Sequence, residues 1–260
     1  MKKNIFAFFF IMLWGGAIGQ VRFIDEYEVN IGYSIFQGDY GQRDDFSSNL
    51  GSSGFLLGGK MYLNFLDYYS NCYACKHIKF PLIFNVGYSN LNFDKAYNDT
   101  NLTPDLIKVK AFSGSIFQSQ VSLGVEYHIG DLNAFSFSSS QFLETFDPFI
   151  GGSIGLTAYV TRLESKLGDY NTNPNVLPRA FVNGVYDKPG VVPTLAFEGG
   201  FRYKLNSFLA ITVNSRWIYY LSDKVDGLAP NPNMVNNDYN DWQFSPSIGV
   251  VFLLKNGGFY

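Results

Sequence analysis

Cysteine is nearly missing from these 260 residues: Cys72 and Cys75 are the only two, and histidine is as scarce, with His77 and His128 alone. That scarcity excludes a multi-bridge disulfide scaffold, and a structural zinc site would need two more soft ligands than Cys-Tyr-Ala-Cys supplies. Past residue 20 no apolar run approaches the roughly 20 residues a transmembrane helix needs, although 47 % of the chain is hydrophobic. The apolar residues are dispersed. A basic surplus is missing too. With Lys2 and Lys3 set aside, 17 of the 19 basic residues face 22 acidic ones, a formal charge near −5, which gives a nucleic-acid partner no support. The sequence contains no phosphate-cradling glycine motif and no metal-ligand cluster, so no cofactor is expected.

What is abundant is aromatic and small: 26 Phe, 18 Tyr and 26 Gly, a composition that favours strands over helices. At the start, Lys2 and Lys3 precede the apolar run Ile5 to Leu13 and then the small residues Gly15, Gly16, Ala17 and Gly19. This order predicts a signal peptide over residues 1–19, cleaved before Gln20, and a single mature domain over 20–260.

Strict alternation of apolar and polar residues, the mark of a strand with two different faces, recurs over 28–36, 55–65, 80–89, 118–129, 148–160, 191–204, 209–221 and 243–254. The fourth run is the cleanest, with Val121, Leu123, Val125, Tyr127 and Ile129 against Gln118, Gln120, Ser122, Gly124, Glu126 and His128. A soluble sandwich also alternates. Two further features discriminate. The polar face is rich in Gly and Ser, as the narrow interior of a small barrel requires, and the apolar face carries aromatics at strand ends around an aliphatic middle. The predicted fold is therefore all-β: a closed eight-stranded antiparallel transmembrane β-barrel of the outer-membrane type, with outer-membrane lipid as its surroundings and localisation. Long outer loops are expected near 37–54, 90–117, 161–190 and 222–241, and shorter inner turns near 66–79, 130–146 and 206–208.

Inward parity gives Lys60, Glu126, Glu198, Arg202 and Arg216 to the lumen, and an odd-length turn at 206–208 sets Glu198 directly across from Arg216. A hydrogen-bonded, charged plug is expected there, in preference to a conducting lumen. Acid–base chemistry has one candidate, Glu126 with His128, but no nucleophile accompanies it, and His77 reads as a solvated turn residue beside Lys76 and Lys79. No catalytic residue is assigned. Cys72 and Cys75 form a turn disulfide in an oxidising compartment, or remain free thiols, or act in redox. The oxygen-rich stretch 37–45 lacks the regular ligand spacing of a calcium loop and reads as a tight turn.

Glu28-Val29-Asn30-Ile31-Gly32-Tyr33 followed by Gln37-Gly38-Asp39-Tyr40 resembles the opening strand and G-D loop of PorG-like outer-membrane barrels of the type IX secretion system. The segment Trp217 to Gly227 is similar to that family's aromatic and Asp-rich strand end, departing from it at Ser222 and Lys224. The resemblance implies a non-enzymatic barrel that associates with periplasmic proteins of the secretion complex. The inner turns 66–79 and 130–146 are the expected contact surface. The alternative reading is a small channel, or a ligand-binding barrel that uses its outer loops.

Overall fold

The computed structural model describes residues 24–41, 45–63, 76–93, 95, 103–132, 135, 145–229 and 240–254. The expected signal peptide, residues 1–19, and Cys72 and Cys75 lie outside them. Eight strands follow one another round a closed antiparallel barrel: β1 (Ile24–Gln37), β2 (Ser53–Leu63), β3 (Ile78–Asn92), β4 (Phe112–His128), β5 (Phe146–Ser165), β6 (Gly190–Lys204), β7 (Leu209–Tyr220) and β8 (Trp242–Leu253). Closure comes from β1 pairing β8, for example Val29 with Val250 and Ile31 with Ile248. It leaves no open edge, so every strand's backbone groups find partners without water.

Period-two patterning turns into two walls. Along β4 from Ile116 to His128 the side chains alternate strictly between buried and exposed. The exposed ones are Phe117, Ser119, Val121, Leu123, Val125 and Tyr127, so the face that is apolar but for Ser119 points away from the lumen. Ile154 on β5 and Val191 on β6 are each 65 % exposed, and Leu123 on β4 is 58 % exposed. A continuous apolar exterior round a polar interior is the distribution of a protein dissolved in a bilayer; the chain is a transmembrane barrel of the outer-membrane type. Among the described residues no helix is long and apolar enough to cross a membrane. Register groups the aromatics into two belts. Toward the outer end Tyr33 pairs Phe55, Phe55 pairs Tyr88 and Tyr88 pairs Phe117, while Phe197 pairs Trp217 and Trp217 pairs Phe244. Toward the inner end Phe146 pairs Tyr203, and Phe252 lies between Tyr27 and Leu209.

Three strands, β3, β4 and β5, run past their expected outer limits, and the reason is a change of face. Above the outer aromatic belt water replaces lipid, so the outward positions turn polar, as at Asn90, Asn92, Ser113, Ser115, Arg162 and Glu164. The inward positions turn apolar instead: Leu91, Phe112, Ile116 and Leu163 are buried. A helix also interrupts the expected loop 90–117. It is α2 (Pro104–Ala111), and the shorter α1 (Phe46–Asn49) follows β1. Thr103 caps α2 by accepting from the Leu106 amide, with Pro104 at the first position, Asp105 in the first turn and Lys108 and Lys110 in the last.

All four outer loops close over the barrel mouth on one apolar cluster. Tyr40, Phe93, Leu177, Phe181, Val225 and Leu228 come from the loops, and Phe36, Phe112, Tyr159, Ile218 and others from the strand ends. At the inner end, β6 turns into β7 through Asn206, whose side chain accepts from the amides of Phe208 and Leu209.

Candidate functional site

The barrel floor gathers charge. Inward parity on β2 places Lys60 and Tyr62 two residues apart, and Glu126 and His128 stand likewise on β4. Lys60 Nζ donates to Glu126 Oε1 at 2.7 Å and to Glu198 Oε2 at 3.0 Å. Arg202, the largest fully buried side chain, donates to Glu26 Oε2 at 2.8 Å and Glu126 Oε2 at 3.3 Å, with its guanidinium 4.4 Å from the Tyr62 ring centroid. The Tyr62 hydroxyl donates to Glu28 Oε2 at 3.0 Å, and Lys79 pairs with Glu26. His128 lies between two carboxylates, with Nδ1 2.7 Å from Asp147 and Nε2 3.3 Å from Glu126.

The arrangement joins β1 through β6 across the lumen. Its members are buried to a degree that a water-filled channel would not allow. Glycine at 58 is part of the fit: a Cβ there would stand 2.3 Å from Asn30 Oδ1 and 2.6 Å from Asn85 Oδ1. Above this layer lies an uncharged one. Asn85 Nδ2 donates to Gln120 and Gln120 Nε2 to Thr194, at 2.9 and 3.1 Å. The Tyr220 hydroxyl stands 2.6 Å from Gln118 Oε1 and 2.7 Å from Gln243 Oε1.

The lumen residues anticipated from sequence thus lie in one interior, with one change of partner. Register does set Glu198 opposite Arg216. The Glu198 carboxylate nevertheless takes Lys60 from across the barrel, while Arg216 Nη2 donates to Ser153 Oγ at 2.8 Å and lies 3.5 Å from Ser122 Oγ. A long lysine reaching over a narrow lumen outcompetes the cross-strand neighbour. Lys79 is another correction: it is a lumen residue of β3, not part of the turn around His77. Stepping back by twos from inward Asn85 reaches it, so the signal was present in the parity. The same stepping recovers Glu26 from Glu28 and Asp147 from Gly151.

The inner turn 130–146 differs from an exposed contact surface at both of its described interior points. Leu132 and Phe135 are buried, and Phe135 packs on Ala210, Val251 and Leu253. Lys204 Nζ donates to the Phe135 carbonyl at 2.5 Å. This part of the turn folds into the inner mouth as a stopper. The turn over residues 64–75, with Tyr68, Tyr69, Tyr73 and both cysteines, lies outside the described residues.

Chemically, both nitrogens of His128 face carboxylates, and neither is directed at a hydroxyl or thiol. Among the described residues no group of three or more His, Cys, Asp or Glu side chains is arranged to hold a metal.

No family model and no curated protein matches the chain. Solved structures do. Neisserial surface protein A is similar over 88 % of this chain and 96 % of its own, at TM-score 0.45 and 10 % identity. Ail, the attachment invasion locus protein of Yersinia pestis, solved in complex with the heparin analogue sucrose octasulfate, is similar over 88 % of this chain and 98 % of its own, at TM-score 0.40 and 13 % identity. The outer membrane enzyme PagL is similar over 86 % of this chain and 97 % of its own, at TM-score 0.32 and 8 % identity. At such identities the likeness concerns architecture alone.

Proposed function

We propose that the chain is a non-enzymatic outer-membrane barrel that works through its surfaces, as a structural or anchoring component of a protein secretion complex of the type IX kind. The observation that carries this reading is the filled interior. Among the described residues, a lumen crossed by the Lys60, Glu126, Glu198 and Arg202 layer, with Phe135 below and the loop cluster above, leaves no aqueous path for a solute. It also leaves His128 beyond the reach of a substrate. What remains available to a partner is the two ends and the lipid-facing wall.

The resemblance to PorG-like barrels supports the finer part of the reading, because its two segments meet in the fold. The amide of Asp39, in the G-D loop, donates to Asp226 of the Asp-rich stretch at 2.6 Å. A loop motif and a distant strand-end motif are then one structural unit, a reason for both to occur in the same chain. The inner contact surface falls to the turn between β2 and β3, whose tyrosines, Tyr68, Tyr69 and Tyr73, are of a type enriched at interfaces. The outer crown, where described residues of all four loops meet on one cluster, favours the second reading, a barrel that binds a ligand with its outer loops.

Mild-detergent pull-down of the tagged full-length protein from native membranes tests the assignment. Periplasmic proteins are expected to co-purify. Replacing residues 66–76 by an Asn-Gly turn should abolish that capture while the barrel still shifts with heat on gels. Unchanged capture by a folded variant would remove this turn from the reading. Lipid alone, with no periplasmic protein, would remove the anchoring role.

A further inference from the structure

The described part of the β7–β8 loop, residues 221–229 and 240–241, is fastened on three sides. Inside it, Asp241 Oδ2 accepts from the amides of Val225 at 2.8 Å and Asp226 at 3.2 Å. Toward the β1–β2 loop, Asp226 Oδ2 accepts from the Asp39 amide, and its Oδ1 accepts from the Leu228 amide at 2.8 Å. Glycine at 38 permits the approach, since a Cβ there would stand 2.2 Å from Asp226 Oδ2. Toward β5 and the β5–β6 loop, Thr161 Oγ1 donates to the Val225 carbonyl at 2.7 Å. The Tyr186 amide donates to Gly227 at 2.7 Å and the Ala229 amide to Gly184 at 2.9 Å.

The two carboxyl groups at the centre, Asp226 at 0 % and Asp241 at 1 % exposure, are not equivalent. Asp226 receives one N–H on each oxygen, an environment suited to a carboxylate. Asp241 receives both of its N–H groups on Oδ2, and its Oδ1 is buried with no hydrogen-bond partner among the described residues. A buried anionic oxygen without a donor is costly. A proton on Oδ1 lowers that cost to the smaller one of an unpaired neutral hydroxyl and leaves Oδ2 accepting as before. Asp226 and Asp223 from its own loop and Asp39 from the β1–β2 loop make the Asp241 anion worse, while Tyr40 of the β1–β2 loop, Tyr159 of β5 and Tyr220 of β7 face it as neutral hydroxyls, each held protonated by burial and by the carboxylate beside it. The nearby Lys224 ammonium sits instead over the Tyr186 ring, 4.3 Å from its centroid.

We propose that Asp241 is a proton-carrying latch of the outer crown: protonated at Oδ1 it holds the β7–β8 loop closed on its neighbours, and loss of that proton releases the loop and uncovers the apolar cluster beneath. Burial and the surrounding carboxylates push the Asp241 acid well above the ordinary carboxylate range, and burial lifts Asp226 to about 7. Both shifts are upward. The closed crown is therefore fully stable below the unfolded carboxylate value of about 3.9 and weakens as pH climbs toward and through the raised values. Within that window each pH unit changes the closed-to-open ratio about tenfold per titrating group. Opening exposes a surface and not a pore, because the floor layer and the Phe135 stopper belong to the other end.

Hydrogen exchange of the full-length barrel in detergent, compared at pH 6 and pH 9 after correction for intrinsic rates, reads the latch directly. Peptides over 222–229 and 38–41 should lose at least about tenfold in protection at the higher pH, with strand peptides unchanged. Asp241→Asn keeps the Oδ2 acceptor and removes one of the two titrating groups, so it should lose clearly less protection across the range than the unaltered protein, only the part that Asp226 contributes. Protection independent of pH in the unaltered protein, or the same alkaline loss in Asp241→Asn, overturns the proposal. If that variant does not fold, Asp241→Ser deletes the titrating group and serves the same comparison.

Discussion

Lys60 shows how the interior is held at the scale of one residue. Its ammonium serves two carboxylates that no other lysine reaches among the described residues. Buried ion pairs break roughly even against apolar packing, but removing one partner leaves an uncompensated charge costing on the order of 3–5 kcal/mol. Lys60→Met should therefore destabilise the barrel by that amount in urea titrations. Adding Glu198→Gln to it should recover part of the loss, since Glu126 still has Arg202. Costs that simply add in the double variant would show that Lys60 and Glu198 do not interact. Parity makes the identity of these lumen residues readable from sequence; their pairing is not, because Lys60 chooses Glu198 across open space that no strand register encodes.

At the scale of an element, β5 passes through two solvents along one outward face. Ile154 stands in the lipid belt and Glu164 above it, at the rim where Ser113 and Ser115 of β4 also face outward. Ile154→Arg should cost about 2–4 kcal/mol, whereas Glu164→Arg should cost about 0–1 kcal/mol. Equal costs in a folding titration would mean that the membrane boundary is misplaced. This change of solvent also explains why alternation locates all eight strands yet stops short of the outer ends of β3, β4 and β5. The pattern sought was apolar outward, and beyond the belt Leu91, Phe112 and Leu163 reverse it by filling the crown. The helix α2 falls where the sequence reads as loop, because eight residues are too few to give a clear apolar period, although Thr103, Pro104 and Asp105 at its start and Lys108 and Lys110 at its end are ordinary helix-end residues.

Over the whole molecule, closure, a charged floor and an apolar crown combine to make a barrel whose interior is structure. The sequence carries the two walls and the inward charges; it does not carry the stopper, because Leu132 and Phe135 look like any turn residues until the narrow mouth is placed beside them. Planar-bilayer conductance of the purified, heat-modifiable barrel at neutral pH is the most direct test. A filled lumen gives no discrete unitary steps above the bare membrane, and Lys60→Met should not create stable ones unless the barrel unfolds. Reproducible, ohmic single-channel openings from the folded, unaltered protein would contradict the sealed interior and with it the reading of a barrel that works through its surfaces.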